Sequence, residues 1–385
     1  MKILFVSPHI NPFKPTQGAS QRSNLLLQAF TKIASVDVIS FMTQNESDTD
    51  SYRIVYQNII KPQNREGRLA KFKRLLTPWK IDSVFPVCSE WERIIDEIVK
   101  QNRYDYIVVR YVHIAVACGL MKYADKLVID VDDNPIDVAT ISSKSAKTLR
   151  NKLYYKLMEY SLRFTMALLK KQVKHLFYSN AIQARINSAT YLPNVPFYAI
   201  DAKQVAETHI KRGRIMFIGD MNYSPNIKGT DLFIENVYPK IKSKLPHASF
   251  HIVGSISDEN MKEKWTQMGA VVTGFVESIV KEYAEAECII VPIYSGGGTC
   301  IKILEAMQMQ RPIVTTTLGF RGYGDFFKCG TDLMVVDNDD TFADAVIEIL
   351  ENKDFWKNLV NNAAMHYEKF FSKECFFEIV KKEIA

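Results

Sequence analysis

Lys302 and Glu305 stand three residues apart just beyond a run of glycines, in the stretch VPIYSGGGTCIKILEAMQMQRPIVTT at residues 291–316. The β-branched run from Cys288 to Ile293 reads as a buried strand, and Gly296, Gly297 and Gly298 follow it. A helix is expected from Thr299 to Met309, stopped by Pro312, with a second apolar strand directly after. Residues three apart share one helical face. Glycines let backbone N–H groups come close to a ligand, and a helix start carries unpaired donors and partial positive charge, so the loop is built for an anion. A lysine there neutralises diphosphate, and a carboxylate one turn on accepts hydrogen bonds from ribose hydroxyls. The pair suits a sugar nucleotide. A packing loop with two solvated charges is the competing reading.

Other groups could do chemistry nearby. In DVDDNP, residues 130–135, Asp132 and Asp133 sit at the end of a strand. One of them could bind an acceptor hydroxyl or act as a base, or both could simply cap the helix before Pro135. An Asp-x-Asp spacing could also hold a divalent metal, but that belongs to folds with one Rossmann-like domain, and two are expected here. His9 and His113 each follow an apolar strand, where a histidine could meet a diphosphate or a sugar, or be an ordinary surface or core residue. Arg22 opens the helix after Gly18 and is a candidate acceptor contact.

These groups need a frame. A chain of 385 residues is too long for one ordinary core. KILFV at 2–6 leads through a loop with Gly18 into one helix, and RIMFIG at 214–219 leads through a loop with Pro225 and Gly229 into another. Further strands are expected at 106–109, 126–131 and 175–179, and at 249–254, 270–275, 288–293 and 312–316, with helices between. Alternation of this kind gives parallel sheets. The expected organisation is a domain at 1–195, a linker at 196–212, a second domain at 213–354, and a helical segment at 355–385 that caps the second domain or crosses back to the first. Ligands of such open sheets sit beyond the carboxyl ends of the strands.

Composition narrows the partners. Hydrophobic content of 47% with 24% charged residues belongs to a soluble globular chain, and no apolar run is long enough for a transmembrane helix. The apolar start ends too early, at Pro8, for a signal peptide. Six scattered cysteines without a CxxC suggest reduced thiols in a cytosol. Residues 1–200 carry a net charge of +11 and the remainder −5. A basic front half suggests an acidic partner, and an anionic membrane surface is expected rather than nucleic acid. Residues 61–80 interleave seven Lys+Arg with Leu69, Phe72, Leu76 and Trp79, the pattern of a membrane-interface helix. Residues 144–174, with nine Lys+Arg and one Glu, read as another long helix, more simply explained by a core-facing stripe and a solvated basic back.

The phrases FIGDMNYSPNIKG, VTGFV, VPIYSGGGTCIKILEAM and RPIVTT, with SPHINPFKPTQGASQR and VIDVDDNP earlier, resemble the retaining, nucleotide-sugar-dependent glycosyltransferases of family four. The resemblance covers nearly the whole chain. It implies an α/β GT-B fold, two Rossmann-like domains facing across a cleft. It implies transfer of a sugar from a UDP- or GDP-linked donor, without a cofactor or a metal, to a glycan or lipid-linked acceptor. The expected setting is bacterial surface polysaccharide or lipid-linked glycan synthesis, by a cytoplasmic protein peripheral to the membrane. By the same resemblance, Gly219, Asp220 and Met221 lie beside the diphosphate, and the backbone at Phe275 and Val276 holds the base. Gly297, Gly298 and Thr299 meet the phosphates or the sugar, Glu305 the ribose, and Gly18 approaches the diphosphate from the first domain. Two departures stand out: Gly297 occupies the place of a usual donor-contacting glutamate, and no arginine follows the strand at 214–219, which leaves Lys302 as the diphosphate cation. A sugar-nucleotide epimerase on the same fold, or a catalytically degenerate sugar-nucleotide binder, is the alternative.

Overall fold

The computed structural model describes residues 1–15, 18–61, 74, 76–77, 84–132, 134–146, 148–197, 209–296 and 299–384. The chain divides into two compact units, Met1–Pro193 with Phe376–Ala385, and Asn194–Cys375. The expected linker at 196–212 and the basic segment at 61–80 fall largely outside the described residues, as do Asp133, Gly297 and Gly298.

The first unit holds a seven-stranded sheet in the order β3-β2-β1-β4-β5-β6-β7. Its strands are β1 (Lys2–Ser7), β2 (Ser35–Ser40), β3 (Tyr52–Gln57), β4 (Tyr106–Arg110), β5 (Leu127–Asp132), β6 (His175–Tyr178) and β7 (Thr190–Tyr191). All are paired in parallel. The central strands are apolar on both faces because helices cover both: Ile3 to Val6 and Leu127 to Ile129 are buried throughout. One core layer gathers Leu4, Ile107 and Ile129 from the strands and Trp91, Ile95 and Leu169 from helices.

The second unit holds a six-stranded parallel sheet, β10-β9-β8-β11-β12-β13. Here β8 is Arg214–Ile218, β9 Ser249–Val253, β10 Val271–Gly274, β11 Cys288–Val291, β12 Ile313–Thr315 and β13 Met334–Val335. Each sheet starts in its middle and winds outward in both directions, which places the change of winding at β1 and β4 in one unit and at β8 and β11 in the other. After β8 the helix Ser224–Leu232 runs into a π-turn at Phe233–Val237 and resumes at Tyr238–Lys244. Pro239 has no N–H to give and would collide with the carbonyl four residues back; the widened turn before it removes that conflict.

The final helix, Lys373–Ile384, begins in the second unit, and from Phe376 onward its residues belong to the first. There Phe376, Val380 and Ile384 are buried. Glu383 takes hydrogen bonds from His175 at 2.9 Å and Thr190 at 2.6 Å, and the Lys32 ammonium lies 3.8 Å from the centre of the Phe377 ring.

Candidate functional site

In the second unit the chemistry gathers at the carboxyl ends of β8 and β11. The helix starts at Ile301, two residues later than expected, and runs to Gln308. Its N-cap residue, Cys300, makes no side-chain cap, so no side chain at that position satisfies the first-turn N–H donors. Lys302 is the second residue of that turn. A Cβ built on Gly219 would lie 2.8 Å from Lys302 Cε and 3.2 Å from its Nζ, so the lysine stem crosses the end of β8 where only glycine leaves room. The ammonium also lies 5.8 Å from the centre of the Phe217 ring.

The backbone around this point is tightly constrained. A Cβ on Gly254 would fall 1.8 Å from the carbonyl oxygen of Gly219, and Gly254 has a φ of +133°, so the ends of β8 and β9 touch backbone to backbone. Gly219 N–H donates to Val253 O at 2.9 Å, and Gly254 N–H to Gly274 O at 2.8 Å. Asn226 donates to Asp220 O at 2.8 Å and so holds the loop after β8 against its helix.

Glu305 sits one turn beyond Lys302, partly buried, and its carboxylate accepts a hydrogen bond from the Tyr283 hydroxyl at 2.8 Å. Burial raises its pKa; the Tyr283 hydrogen bond and the positive charge of Lys302 work against that rise. Glu305→Ala is expected to weaken nucleotide binding by about 1–3 kcal/mol, the range for a stranded hydrogen-bonding partner. Calorimetric titration checks this, and an unchanged affinity would place the ribose elsewhere.

The remaining donor-side residues divide. Thr299 accepts a hydrogen bond from Asn194 at 3.3 Å, within the same unit. Gly296, with φ +110°, packs beside Tyr223 and Pro225. Phe275 is 76% exposed, its ring open to a flat partner, and Val276 beside it is partly buried. Asp220 is exposed and accepts from the Asn222 backbone and side chain. Met221 departs from expectation. Its side chain is buried in the hydrophobic core, its sulfur meets the Thr230 hydroxyl at 3.8 Å, and its N–H is taken by Ser255 O at 2.7 Å, so neither group faces a ligand. Asn226 is one of the polar residues that the loop after β8 offers where an arginine is usual, and it ties that loop together; Tyr283 was not singled out from sequence, because its partner Glu305 lies 22 residues on, across a strand and a loop.

The first unit has its own polar centre at the ends of β4 and β5. Asp130, fully buried, receives two hydrogen bonds from Arg22, at 2.9 and 2.7 Å, and one from Arg110 at 2.8 Å. Arg110 also donates to Asp132 at 2.7 Å and to Ser23 at 3.1 Å. Burial by itself would raise the Asp130 pKa, but the two guanidinium groups outweigh it and hold the pKa below the ordinary carboxylate value. Arg22, 4% exposed, further donates to the carbonyls of Leu192 and Pro193 at 3.1 and 3.0 Å. It is an internal tie between a helix, a strand and the chain after β7, where the sequence suggested an acceptor contact.

Asp132 is 16% exposed on its side chain and adopts φ 60°, and Tyr111 at the end of β4 adopts φ 68°. Left-handed backbone at non-glycine residues is strained, and here it occurs at two adjacent strand ends. The Asp132 carbonyl accepts from the Ser179 N–H and hydroxyl, which fixes the turn. The N-cap of the helix at Pro135 is Asn134, which accepts from Ile136 N–H at 3.1 Å, and not Asp132; Asp133 lies outside the described residues. His113 is exposed and its ring stacks on Tyr111 at 5.4 Å. His9 completes a triangle with them, 5.5 Å from Tyr111 and 5.8 Å from His113, and its Nδ1 is buried without a hydrogen-bond partner among the described residues. Burial, with His113 and Arg110 adding repulsion, lowers the His9 pKa to about 4, so its ring is neutral at pH 7. Gly18 opens its helix, and among the described residues nothing lies within 4 Å of where its Cβ would sit.

Residues 212–352 match the family described as Glycosyl transferases group 1. The chain is 25% identical over 177 residues to a protein named "Uncharacterized 44.6 kDa protein in cps region" from Klebsiella pneumoniae. That match takes in 44% of this chain and 45% of the relative, so the chain spans under half the length of the curated protein it matches. Among solved structures it is similar to a glycosyltransferase from Rickettsia africae, with TM-score 0.64 and 15% identity over 100% of this chain and 97% of the other. It is also similar to Anabaena Alr3699/HepE, solved with UDP and glucose, with TM-score 0.63 and 13% identity over 99% and 98%. A third is WaaG, a glycosyltransferase involved in lipopolysaccharide biosynthesis, with TM-score 0.61 and 13% identity over 100% and 99%. Identities this low speak to the fold, which is GT-B. The matched domain and the fold together support a GT-B glycosyltransferase.

Proposed function

We propose that this chain transfers a sugar, with retention, from a UDP- or GDP-linked donor to a glycan or lipid-linked acceptor in bacterial surface polysaccharide synthesis, working beside an anionic membrane. One observation carries the reading: Lys302 lies across Gly219 at the end of β8, with Glu305 one turn behind it on a helix whose N-cap residue supplies no side-chain cap. The family match over 212–352 supports it, as do the cps-region relative and the UDP complex of the Anabaena protein.

The chemistry follows from the charges. Departure of a nucleoside diphosphate leaves negative charge on its terminal phosphate, and the sugar passes through an oxocarbenium-like state. Lys302 and the N–H groups of the first helical turn stabilise the leaving phosphate where that charge develops. Glu305 holds the ribose, and the backbone at Phe275 and Val276 holds the base. In the first unit, Asp132 and His113 are the candidate acceptor contacts. Arg110 fixes the Asp132 carboxylate, and the neutral His9 packs against the His113 ring.

The test is a calorimetric titration with UDP and with GDP in EDTA. Binding of one of them without added metal is expected; failure of both to bind would sink the proposal. Nucleotide release that depends on an acceptor separates a transferase from an epimerase and from an inert binder.

A further inference from the structure

The helix Leu149–Gln172 has a buried side and an open side. Leu162, Met166 and Leu169 face the core, and Tyr154, Leu157 and Met158 pack on a smaller cluster with Ala139 and Val84. The opposite side is not the plain solvated surface that composition suggested. Leu149 is 87% exposed and Tyr160 55%, with Leu153 and Phe164 exposed as well, spaced four, seven and four residues apart along one face. The exposed basic residues Lys156, Arg163 and Lys170 are interleaved with them. The helix contains one carboxylate, Glu159, which already accepts from Arg163 at 2.8 Å.

Two neighbouring helices extend this face. Pro135–Ser145 packs along the long helix through Ala139 and leaves Val138 exposed. Ala181–Asn187 is joined to both: Lys170 donates to Ile186 O at 3.3 Å, and Gln183 donates to Asp137 at 2.8 Å. It leaves Ile182 and Ile186 exposed. Apolar side chains this exposed, on three adjoining helices, mark an interaction surface. A second copy would bring lysines and arginines against lysines and arginines. An anionic bilayer takes the apolar side chains at its acyl boundary and the cations at its head groups, and side chains of this mixture lie in that interface. No described helix is long and apolar enough to cross a membrane, so attachment of these residues is by a face.

We infer that this three-helix face docks the first unit on an anionic lipid surface. The inference rests on the proposed membrane setting and gives it a location, separate from residues 61–80. The experiment is sedimentation of the full chain with vesicles of phosphatidylcholine alone or with phosphatidylglycerol, at low and high salt. Binding is expected only with phosphatidylglycerol, and weaker at high salt. Replacing Lys156, Arg163 and Lys170 together by Gln should weaken it on the order of 100-fold, from about fivefold per charge. Leu149→Ser with Leu153→Ser and Phe164→Ser should abolish it. Both variants should keep the wild-type Tm and UDP or GDP affinity, so failure of the glycosyltransferase reading shows in the titration and failure of this one in the pellet. Wild type that ignores anionic vesicles at low salt, or variants that bind as well as wild type, would overturn the inference. So would a vesicle-free dimer that the serine variant dissolves.

Discussion

Lys302→Ala is expected to cut turnover by about 10²–10³-fold, the cost of removing one preorganised group from a developing anion. The loss should fall mainly on kcat. In the ground state the diphosphate charge is shared with the helix start and with water, while the extra charge on the leaving oxygen arises only as the sugar departs. The variant should keep its Tm, because the Lys302 side chain lies over Gly219 at a strand end and is no part of the hydrophobic core. Gly219→Ala should act in the same direction with Lys302 intact. Its new Cβ would stand 2.8 Å from the lysine Cε, and a flexible stem yields by moving away. Rates measured at saturating donor decide the matter; if Lys302→Ala turns over at the wild-type rate, the leaving group is stabilised elsewhere.

Asp130→Ala should have the largest effect on stability, about 3–5 kcal/mol, because it leaves the buried Arg22 and Arg110 guanidinium groups facing each other without their shared carboxylate. For a unit of this size that is about 6–20 °C in Tm. Adding Arg22→Met to Asp130→Asn should recover part of the loss by removing one uncompensated charge, and a strictly additive double variant would contradict the account. The pH dependence has a definite sign. The Asp130 pKa is lowered in the folded state, so its contribution is present above the unfolded carboxylate pKa and is lost as pH falls through the folded one. Acid unfolding of Asp130→Ala should therefore be less steep than that of wild type.

How much of this could be read from residues depends on where the information lies. Strands with continuous β-branched runs were legible: RIMFI and CIIV stand within a residue or two of where the pattern places them. The outer strands β2 and β3 were not, because SVDVIS carries Asp37 in its middle and YRIVYQ carries Arg53. The structure supplies the reason they are strands nonetheless. Arg53 pairs with Asp37 through two hydrogen bonds at 3.0 and 2.9 Å, Lys2 adds a second positive charge and the Tyr104 hydroxyl donates a further hydrogen bond, so a carboxylate that looks wrong for a strand is satisfied from three other places in the chain. The long helix expected over 144–174 is Leu149–Gln172, a few residues shorter at its start because a separate helix, Pro135–Ser145, ends there; Thr148 sets the new start by accepting from Asn151 N–H as an N-cap. The Lys302–Glu305 pair was visible because helical spacing carries it. Arg22 was misplaced because its partner Asp130 is 108 residues away, and no local pattern shows a contact of that range.

The last helix sets an order of events during synthesis. Residues from Phe376 on complete the first unit, yet the whole of Asn194–Cys375 separates them from the rest of it. At the pace of a ribosome those intervening residues take roughly 10–40 s to make. Throughout that interval the surface that will receive Phe376, Val380 and Ile384 is bare, and His175 and Thr190 wait without Glu383. The second unit has all its strands before the first has its final helix, so the half of the protein that is made first is finished last. A nascent chain stalled before residue 376 should present a protease-sensitive first unit beside a resistant second one, and full-length release should protect both.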